Sequence, residues 1–177
     1  MPEPLRFVVD SLPTPLGPMH VVCDDVGRLR LLQWQDDGER FRPSLDRHYG
    51  PDGYTLTAAK DPFGRCSAIS AYFAGDPWAL EEIPVETAGT PFQRLVWGAL
   101  RGIPVGGTES YGELSARIGR PKAVRAVGLA NGANPIGIVV PCHRVVGADG
   151  TLTGYGGGLE RKRFLLDHEA RALESSR

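Results

Sequence analysis

Residues 138–146, "IVVPCHRVV", place a thiol, an imidazole and a guanidinium within a run of branched apolar side chains. Such a run predicts a buried strand, in which polar groups cost free energy unless they are paired. A thiolate is a strong nucleophile, and the pKa of a cysteine falls beside cationic or hydrogen-bonding groups. Cys142 is therefore a candidate nucleophile, and inert burial is the usual alternative for a lone cysteine in an apolar strand.

A base and an orienting acid for this thiol can be named from the same pattern. His143 follows Cys142, but neighbouring side chains on a strand point to opposite faces, so a pair requires a bend, which Pro141 allows, or a bridging water. Glu169 lies in a helix predicted over residues 159–173, with leucines at i−4, i−3 and i+4. A carboxylate on that face requires a partner, and His143 would complete the order of nucleophile, base and orienter. A glutamate that reaches water from the margin of the face is the alternative.

Capping boxes begin two helices in the second half of the chain. "TPFQ" at residues 90–93 has a capping Thr, a Pro suited to the first helical position and a Gln, and the apolar periodicity that follows predicts a core helix. "SYGE" at residues 110–113 begins a helix over residues 111–118, and after "GRP" Pro121 restarts a helix that ends at Gly132. Two short helices across a tight turn resemble a helix-turn-helix, whose second helix enters a DNA groove.

The second of these helices, "PKAVRAVGLANG", has small side chains around one long cation, Arg125. Small residues allow a helix to approach another surface closely. The simpler interpretation is packing inside the domain with Arg125 solvated, and the alternative is contact with DNA.

The first half predicts a small α/β domain with an antiparallel sheet. Two apolar runs flank "DDVG", which indicates a hairpin with its turn at residues 24–27. Helical periods follow around residues 39–49 and 66–73, and residues 81–89 resemble an extended linker. We therefore expect an α+β protein with two domains, residues 1–88 and a mainly helical unit of residues 89–177.

Composition restricts the class of protein. The 177 residues contain three cysteines without a C-x-x-C pair, which indicates neither a disulfide framework nor a cysteine-based zinc site. No leader-like segment or apolar run of about 18 residues occurs, so we expect a cytoplasmic protein without a membrane partner. Residues 1–88 hold 8 basic and 14 acidic residues, and residues 89–177 hold 12 and 7. The basic half favours a polyanionic partner.

Three stretches together resemble a known family: "TPFQRLVWGALRGIP", "SYGELSARIGRPKAVRAVGLANGAN" and "NPIGIVVPCHRVVGADGTLTGYGGGLERKRFLLDHE". They are similar to the methylated-DNA–protein-cysteine methyltransferases, also called O6-alkylguanine-DNA alkyltransferases, from Thr90 to about Glu169. "PTPLGP" near Thr14 and "YFAGD" near Phe73 extend the resemblance into the first half.

The resemblance implies a reaction and a partner. A winged helix-turn-helix domain would bind double-stranded DNA that carries O6-alkylguanine and flip the damaged base through the minor groove. The alkyl group, typically methyl, would pass irreversibly from O6 of guanine, or O4 of thymine, to Cys142, so each molecule would act once. No cofactor or metal is expected, and neither is a cysteine-rich N-terminal extension with zinc-dependent phosphotriester repair.

The resemblance also implies roles for individual residues. Cys142 would accept the alkyl group, His143 would be the water-linked base and Glu169 its orienting carboxylate. Asn134 would hold the turn before the active strand, and Tyr111 would help to rotate the nucleotide and protonate the leaving guanine at ring nitrogen 3.

A second group of residues would contact DNA or form the alkyl pocket. Arg125 would fill the space left by the extruded base, with Ala126 and Gly128 close to the groove. Tyr155 would also contact the DNA. The predicted pocket residues are Tyr111, Val145, Tyr155, Gly156 and Gly157. A backbone N–H in this glycine-rich loop, at Gly156, would meet the lesion oxygen, and a simple turn before a helix is the alternative.

Some questions and rival functions remain open at this level. Gly107 and Gly137 depart from the family pattern and leave the pocket width undecided. A DNA-binding regulator would bind DNA without a covalent product even after Cys142→Ser. A cysteine hydrolase would turn over esters or peptides, although no second orienter stands at hydrolase-like positions. A monomer is expected, and the sequence leaves cooperative assembly on DNA, sequence preference and adduct range open.

Overall fold

The computed structural model describes residues 2–36 and 41–177 of the chain. The chain divides into two units, Met1–Ala88 and Gly89–Arg177, each with its own internal contacts. The expected α+β class is confirmed, since a sheet dominates the first unit and helices dominate the second.

The first unit is built on a four-stranded sheet: β1 (Leu5–Leu12), β2 (Met19–Asp24), β3 (Leu29–Trp34) and β4 (Tyr54–Ala58), in the order β3-β2-β1-β4. The predicted hairpin is confirmed, because β2 and β3 pair antiparallel across the turn and β1 pairs antiparallel with β2. The expectation of an antiparallel sheet is incomplete, since β4 pairs parallel with β1. Helix α1 (Arg42–Tyr49) lies in the crossover that parallel strands require.

Helix α1 and helix α2 (Arg65–Phe73) complete the first unit. Glu39, where the first predicted helix begins, lies outside the described residues. The predicted helix over residues 66–73 is confirmed. Residues 84–86 are extended, as predicted, and exchange backbone hydrogen bonds with Leu29. The core under the sheet comprises Phe7, Val22, Leu31, Phe41, Leu45 and Tyr54.

The second unit contains α3 (Pro91–Leu100), β5 (Glu109–Ser110), α4 (Tyr111–Arg117), α5 (Val124–Gly132), β6 (Val145–Val146) and α6 (Leu159–Ser175). Both predicted capping boxes are formed. At α3 the amide of Gln93 donates to Thr90 Oγ1 at 3.1 Å, and at α4 the amide of Glu113 donates to Ser110 Oγ at 3.0 Å. The caps satisfy N–H groups that a helix leaves unpaired at its first turn, which explains why both helices begin where predicted.

Helix α5 begins later than predicted. It starts at Val124 rather than at Pro121, because residues 120–123 form a turn in which the Ala123 amide donates to the Arg120 carbonyl at 2.9 Å. Helices α4 and α5, separated by this turn, form the predicted helix-turn-helix pair.

The prediction of a strand over residues 138–146 is wrong for all but Val145 and Val146, which pair parallel with β5. Ile138 has a left-handed φ of 70°, and residues 142–144 form a short 3-10 helix. The segment is apolar because the interior of the unit encloses it, and a short apolar run does not distinguish that situation from a buried strand.

Candidate active site

The thiol lies on the bent segment between α5 and β6. The Cys142 amide donates to the Val140 carbonyl at 2.8 Å, and the Arg144 amide donates to the Pro141 carbonyl at 3.0 Å. The side chains of Cys142, His143 and Arg144 are all buried. The bend that Pro141 allows is therefore present, and the opposite-face geometry of a strand does not apply to the cysteine and its neighbour.

His143 and Glu169 form a buried pair between this segment and α6. The ring nitrogen Nε2 of His143 donates to Glu169 Oε2 at 2.8 Å, and both side chains are fully enclosed. The alternative of a glutamate that reaches water is wrong. Burial on the apolar face of α6 explains why the carboxylate needs this partner.

Arg144 completes the cluster and was absent from the predicted site. Its Nε donates to Glu169 Oε1 at 2.8 Å, its Nη2 donates to Oε2 at 3.0 Å, and its Nη1 donates to the Ile103 carbonyl at 2.7 Å. This two-point contact is the strong form of an arginine–carboxylate pair. An arginine inside a run of apolar residues was the sequence signal for it.

The electrostatics of the cluster follow from burial and pairing. Burial lowers the pKa of His143, against the opposing effect of Glu169. Burial also acts to raise the pKa of Glu169, but His143 and Arg144 hold it well below its usual range. Because His143 is neutral at pH 7, the permanently charged guanidinium is the lasting cause of the low pKa of the carboxyl. Nδ1 of His143 is buried and has no hydrogen-bond partner among the described residues.

Two side chains, those of Asn134 and Lys162, act on the Cys142 thiol. Burial raises the pKa of the thiol, while a hydrogen bond from the Asn134 side chain and the charge of Lys162 act to lower it. Asn134 also donates from Nδ2 to the Val140 carbonyl at 2.8 Å and accepts from the Ile136 amide at 2.9 Å. Asn134 thus lies at the turn that leads into the thiol segment and contacts both.

Lys162 is a functional candidate that the sequence prediction missed. It is fully buried on α6, where Nζ donates to the carbonyls of Thr153 and Gly154 at 2.7 and 3.3 Å. Burial lowers the pKa of Lys162, and the charge of Cys142 acts in the opposite direction. Lys162 is seven residues before Glu169, on the same helix face. A second charged residue on the apolar stripe of α6 was therefore the signal.

Asn131 is a further buried residue that the prediction did not include. Its Nδ2 donates to the Cys142 carbonyl at 3.3 Å from the last turn of α5. Helix α5 therefore contributes an anchor to the thiol segment on its buried side.

Tyr111 and the glycine-rich loop meet near this cluster. The Tyr111 hydroxyl donates to the Thr153 carbonyl at 3.5 Å, so this carbonyl faces both Tyr111 and Lys162. Gly128 lies against the Tyr111 ring, since a Cβ on Gly128 would stand 3.8 Å from it. A methyl there would still be an ordinary contact.

The remaining predicted pocket and DNA residues are distributed differently. Val145 is fully buried, Tyr155 and Gly157 are half-buried and Gly156 is exposed. Arg125 and Ala126 are exposed on α5. The structure brings Cys142, His143, Glu169 and Asn134 together. Arg125 lies on the surface, where both interpretations of α5 place it, whereas the exposed Ala126 is not packed inside the domain as the simpler interpretation expects.

The described part of the chain contains neither a metal-binding group of side chains nor a membrane-spanning helix. Residues 2–36 and 41–177 contain no group of three or more His, Cys, Asp or Glu side chains that could hold a metal ion. No described helix has the length and hydropathy that a membrane span requires.

A buried thiol beside a histidine–carboxylate–arginine cluster, in a unit with a helix-turn-helix, defines a class of helix-turn-helix protein with a buried cysteine centre. Residues 91–171 match the family model described as "6-O-methylguanine DNA methyltransferase, DNA binding domain". The chain is 51% identical over 169 residues to the methylated-DNA–protein-cysteine methyltransferase of Salmonella typhimurium, across 96% of this chain and 99% of that protein. The chain belongs to the methylated-DNA–protein-cysteine methyltransferase family.

Solved structures agree with this assignment. The crystal structure of Mycobacterium tuberculosis O6-methylguanine methyltransferase has a TM-score of 0.77 and 40% identity, over 94% of each chain. The structure of Mycobacterium tuberculosis OGT in complex with DNA has a TM-score of 0.76 and 40% identity, again over 94% of each chain. The predicted family and fold class are thereby confirmed.

Proposed function

We propose that this protein repairs alkylated DNA by moving one alkyl group, typically methyl, from O6 of guanine or O4 of thymine to Sγ of Cys142. The observation that carries the proposal is the 2.8 Å contact between His143 and Glu169, on the segment that presents the thiol. The relatives are named for methyl transfer to a protein cysteine, which matches a chain with a single cysteine in such a cluster.

The reaction balances without a cofactor. Sγ of Cys142 attacks the alkyl carbon and forms a new S–C bond. The C–O6 bond breaks, and the electron pair of that bond stays with the guanine. The thiol proton leaves through a water molecule toward Nδ1 of His143, a buried nitrogen with no partner among the described residues. Glu169 holds Nε2 of the same ring as a donor, which leaves Nδ1 as the acceptor. A thioether has no leaving group of comparable quality, so the product is permanent.

Deprotonation of Cys142 is coupled to the approach of substrate. Because burial raises the pKa of the thiol, the free protein keeps it protonated at neutral pH. The hydrogen bond from Asn134 and the charge of Lys162 stabilise the thiolate when it forms. Such groups assist the reaction because they are already in place before the charge develops.

Tyr111 and the loop after β6 form the proposed nucleotide side of the pocket. The Tyr111 hydroxyl faces the Thr153 carbonyl. Its proposed role is to give a proton to ring nitrogen 3 of the leaving guanine. The proposed wall consists of Tyr155, Gly156, Gly157 and the buried Val145. At Gly156 a Cβ would meet nothing within 4 Å, so a ligand has room beside the backbone there.

The target oxygen is inaccessible inside a base pair, so the nucleotide must leave the stack, at a cost of roughly a few kcal/mol. Arg125 is exposed on α5 and can enter the vacated space, where stacking and charge offset part of this cost. Ala126 and the half-buried Gly128 allow α5 to approach the groove. We propose a monomer that acts on duplex DNA in the cytoplasm, where free cysteines remain reduced.

The experiment that tests this function is an intact-mass measurement after incubation with a duplex that contains O6-methylguanine. One methyl group per protein is expected, on Cys142 alone. Burial raises the pKa of Cys23 to about 11 and that of Cys66 to about 12. Both thiols are therefore protonated at neutral pH, and neither is expected to gain a methyl group. Cys142→Ser should gain no mass. Repeated turnover of lesions, or methyl on Cys23 or Cys66, would contradict the proposal.

A further inference from the structure

The outward side of α5 is unusually apolar for an exposed helix face. Leu129 is 71% exposed, more than any other large hydrophobic side chain of the described residues, and Val124 is 40% exposed. A single exposed apolar side chain needs no explanation. Here two large ones lie on one nine-residue helix with the exposed Arg125 and Ala126.

The spacing places Leu129 beside Arg125. Residues four apart occupy the same side of a helix, about one turn of 5.4 Å along its axis. Leu129 is four residues after Arg125, so the two side chains project from one stripe.

The charges around this stripe favour a polyanionic partner. No Asp or Glu occurs from residue 114 to residue 148, although the chain contains 21 acidic residues. Arg120 and Lys122 are exposed in the turn before α5, whereas the exposed Arg117 at the end of α4 is paired with Glu109 at 3.0 Å. A cationic border around an apolar centre complements a minor groove, whose edges are phosphates and whose walls are sugars and base edges.

We propose that Leu129 is an apolar wedge that enters the minor groove of duplex DNA beside Arg125 and holds the duplex open next to the extruded nucleotide. The proposal rests on the function proposed above and adds a positioning residue to it. Arg125 fills the vacated stack, and Leu129 presses on the groove wall one helix turn away. Minor-groove proteins use inserted apolar side chains in this way to unstack a base step.

The test compares Leu129→Ala with Leu95→Ala and Arg125→Ala on two substrates, a duplex with O6-methylguanine and the free base O6-methylguanine. Leu95 is a matched control because it is a leucine on a helix of the same unit and is 40% exposed. Leu129→Ala should slow duplex repair about tenfold and leave free-base repair unchanged, because only the duplex requires extrusion. Leu129→Met should restore most of the duplex rate.

The salt dependence of DNA affinity separates the two groove residues. Arg125→Ala removes a cation from the groove and should reduce the slope of log affinity against log salt, whereas Leu129→Ala removes no charge and should leave the slope unchanged. If Leu129→Ala repairs the duplex as fast as wild type while Arg125→Ala is slow on the duplex only, the proposed role of Leu129 is wrong. The placement of α5 in the groove would then still hold. Loss of the duplex-specific effect in both variants would instead contradict the placement of α5 in the groove. Equal slowing on both substrates would show that Leu129 supports the fold.

Discussion

Nε2 of His143 and Oε2 of Glu169 lie 2.8 Å apart in a fully buried hydrogen bond that joins the thiol segment to the last helix. The carboxylate holds the ring in one tautomer, and Arg144 keeps the carboxylate ionised. The orientation of the His143 ring thus depends on a residue of α6, Glu169, that is 26 residues away in sequence.

Glu169→Gln should slow alkyl transfer on the order of 100-fold, the usual contribution of a positioned acid or base, while DNA affinity remains close to that of wild type. Glutamine has the same shape, but its amide group can donate as well as accept, so it no longer fixes Nε2 of His143 as the donor. Single-turnover rates and DNA binding would be measured in parallel, with Glu174→Gln on the same helix as the control. Equal losses of rate and affinity would indicate a structural role for Glu169.

Lys162→Met should make Cys142 less reactive. Methionine has a similar length but no charge, so the pKa of the thiol should rise above its value in the wild-type protein, because the Lys162 charge acts to lower it. The rate of carboxymethylation of Cys142 as a function of pH would measure this shift. Arg163→Met removes an exposed charge from the adjacent position and serves as the control. A pH profile identical to that of wild type would show that Lys162 only anchors the loop carbonyls.

Acidification from pH 7 to pH 5 should destabilise the wild-type protein more than His143→Asn. Burial lowers the pKa of His143 from its ordinary value of 6.5, so the unfolded chain takes up a proton that the folded protein excludes. The free energy of unfolding then falls with pH by at most about 1.4 kcal/mol per pH unit for this group. Urea unfolding at several pH values would measure the difference.

The pH dependence that His48 contributes does not affect this comparison. Burial also lowers its pKa, but it is present in both proteins, so its contribution cancels in the comparison. Parallel pH profiles of wild type and His143→Asn would contradict a buried neutral histidine.

Arg125→Ala should slow repair of duplex DNA more than repair of the free modified base, because only the duplex requires extrusion. The ratio of the two rates is the measurement. An equal reduction for both substrates would assign Arg125 to the fold or the pocket. No reduction in either would make it the solvated surface residue of the simpler interpretation of α5.

Local patterns in the sequence were sufficient for the elements that local forces decide. The capping boxes at Thr90 and Ser110 predicted where α3 and α4 begin, since a cap involves only four consecutive residues. The hairpin after Asp24 was predicted for the same reason, because a tight turn is encoded by the residues within it. The apolar periodicity of α6 placed Glu169 on a buried face.

Tertiary structure decided what depends on distant residues. The thiol segment resembles a strand by composition, and only enclosure by the rest of the unit bends it into a 3-10 helix. Arg144 belongs to the site because Glu169 and the Ile103 carbonyl, which are remote in sequence, accept its hydrogen bonds. Lys162 belongs to it because the loop before α6 folds back so that the Thr153 carbonyl accepts from Nζ. A pattern of residue types shows that a buried charge needs a partner, but the identity of the partner depends on how the chain folds back on itself.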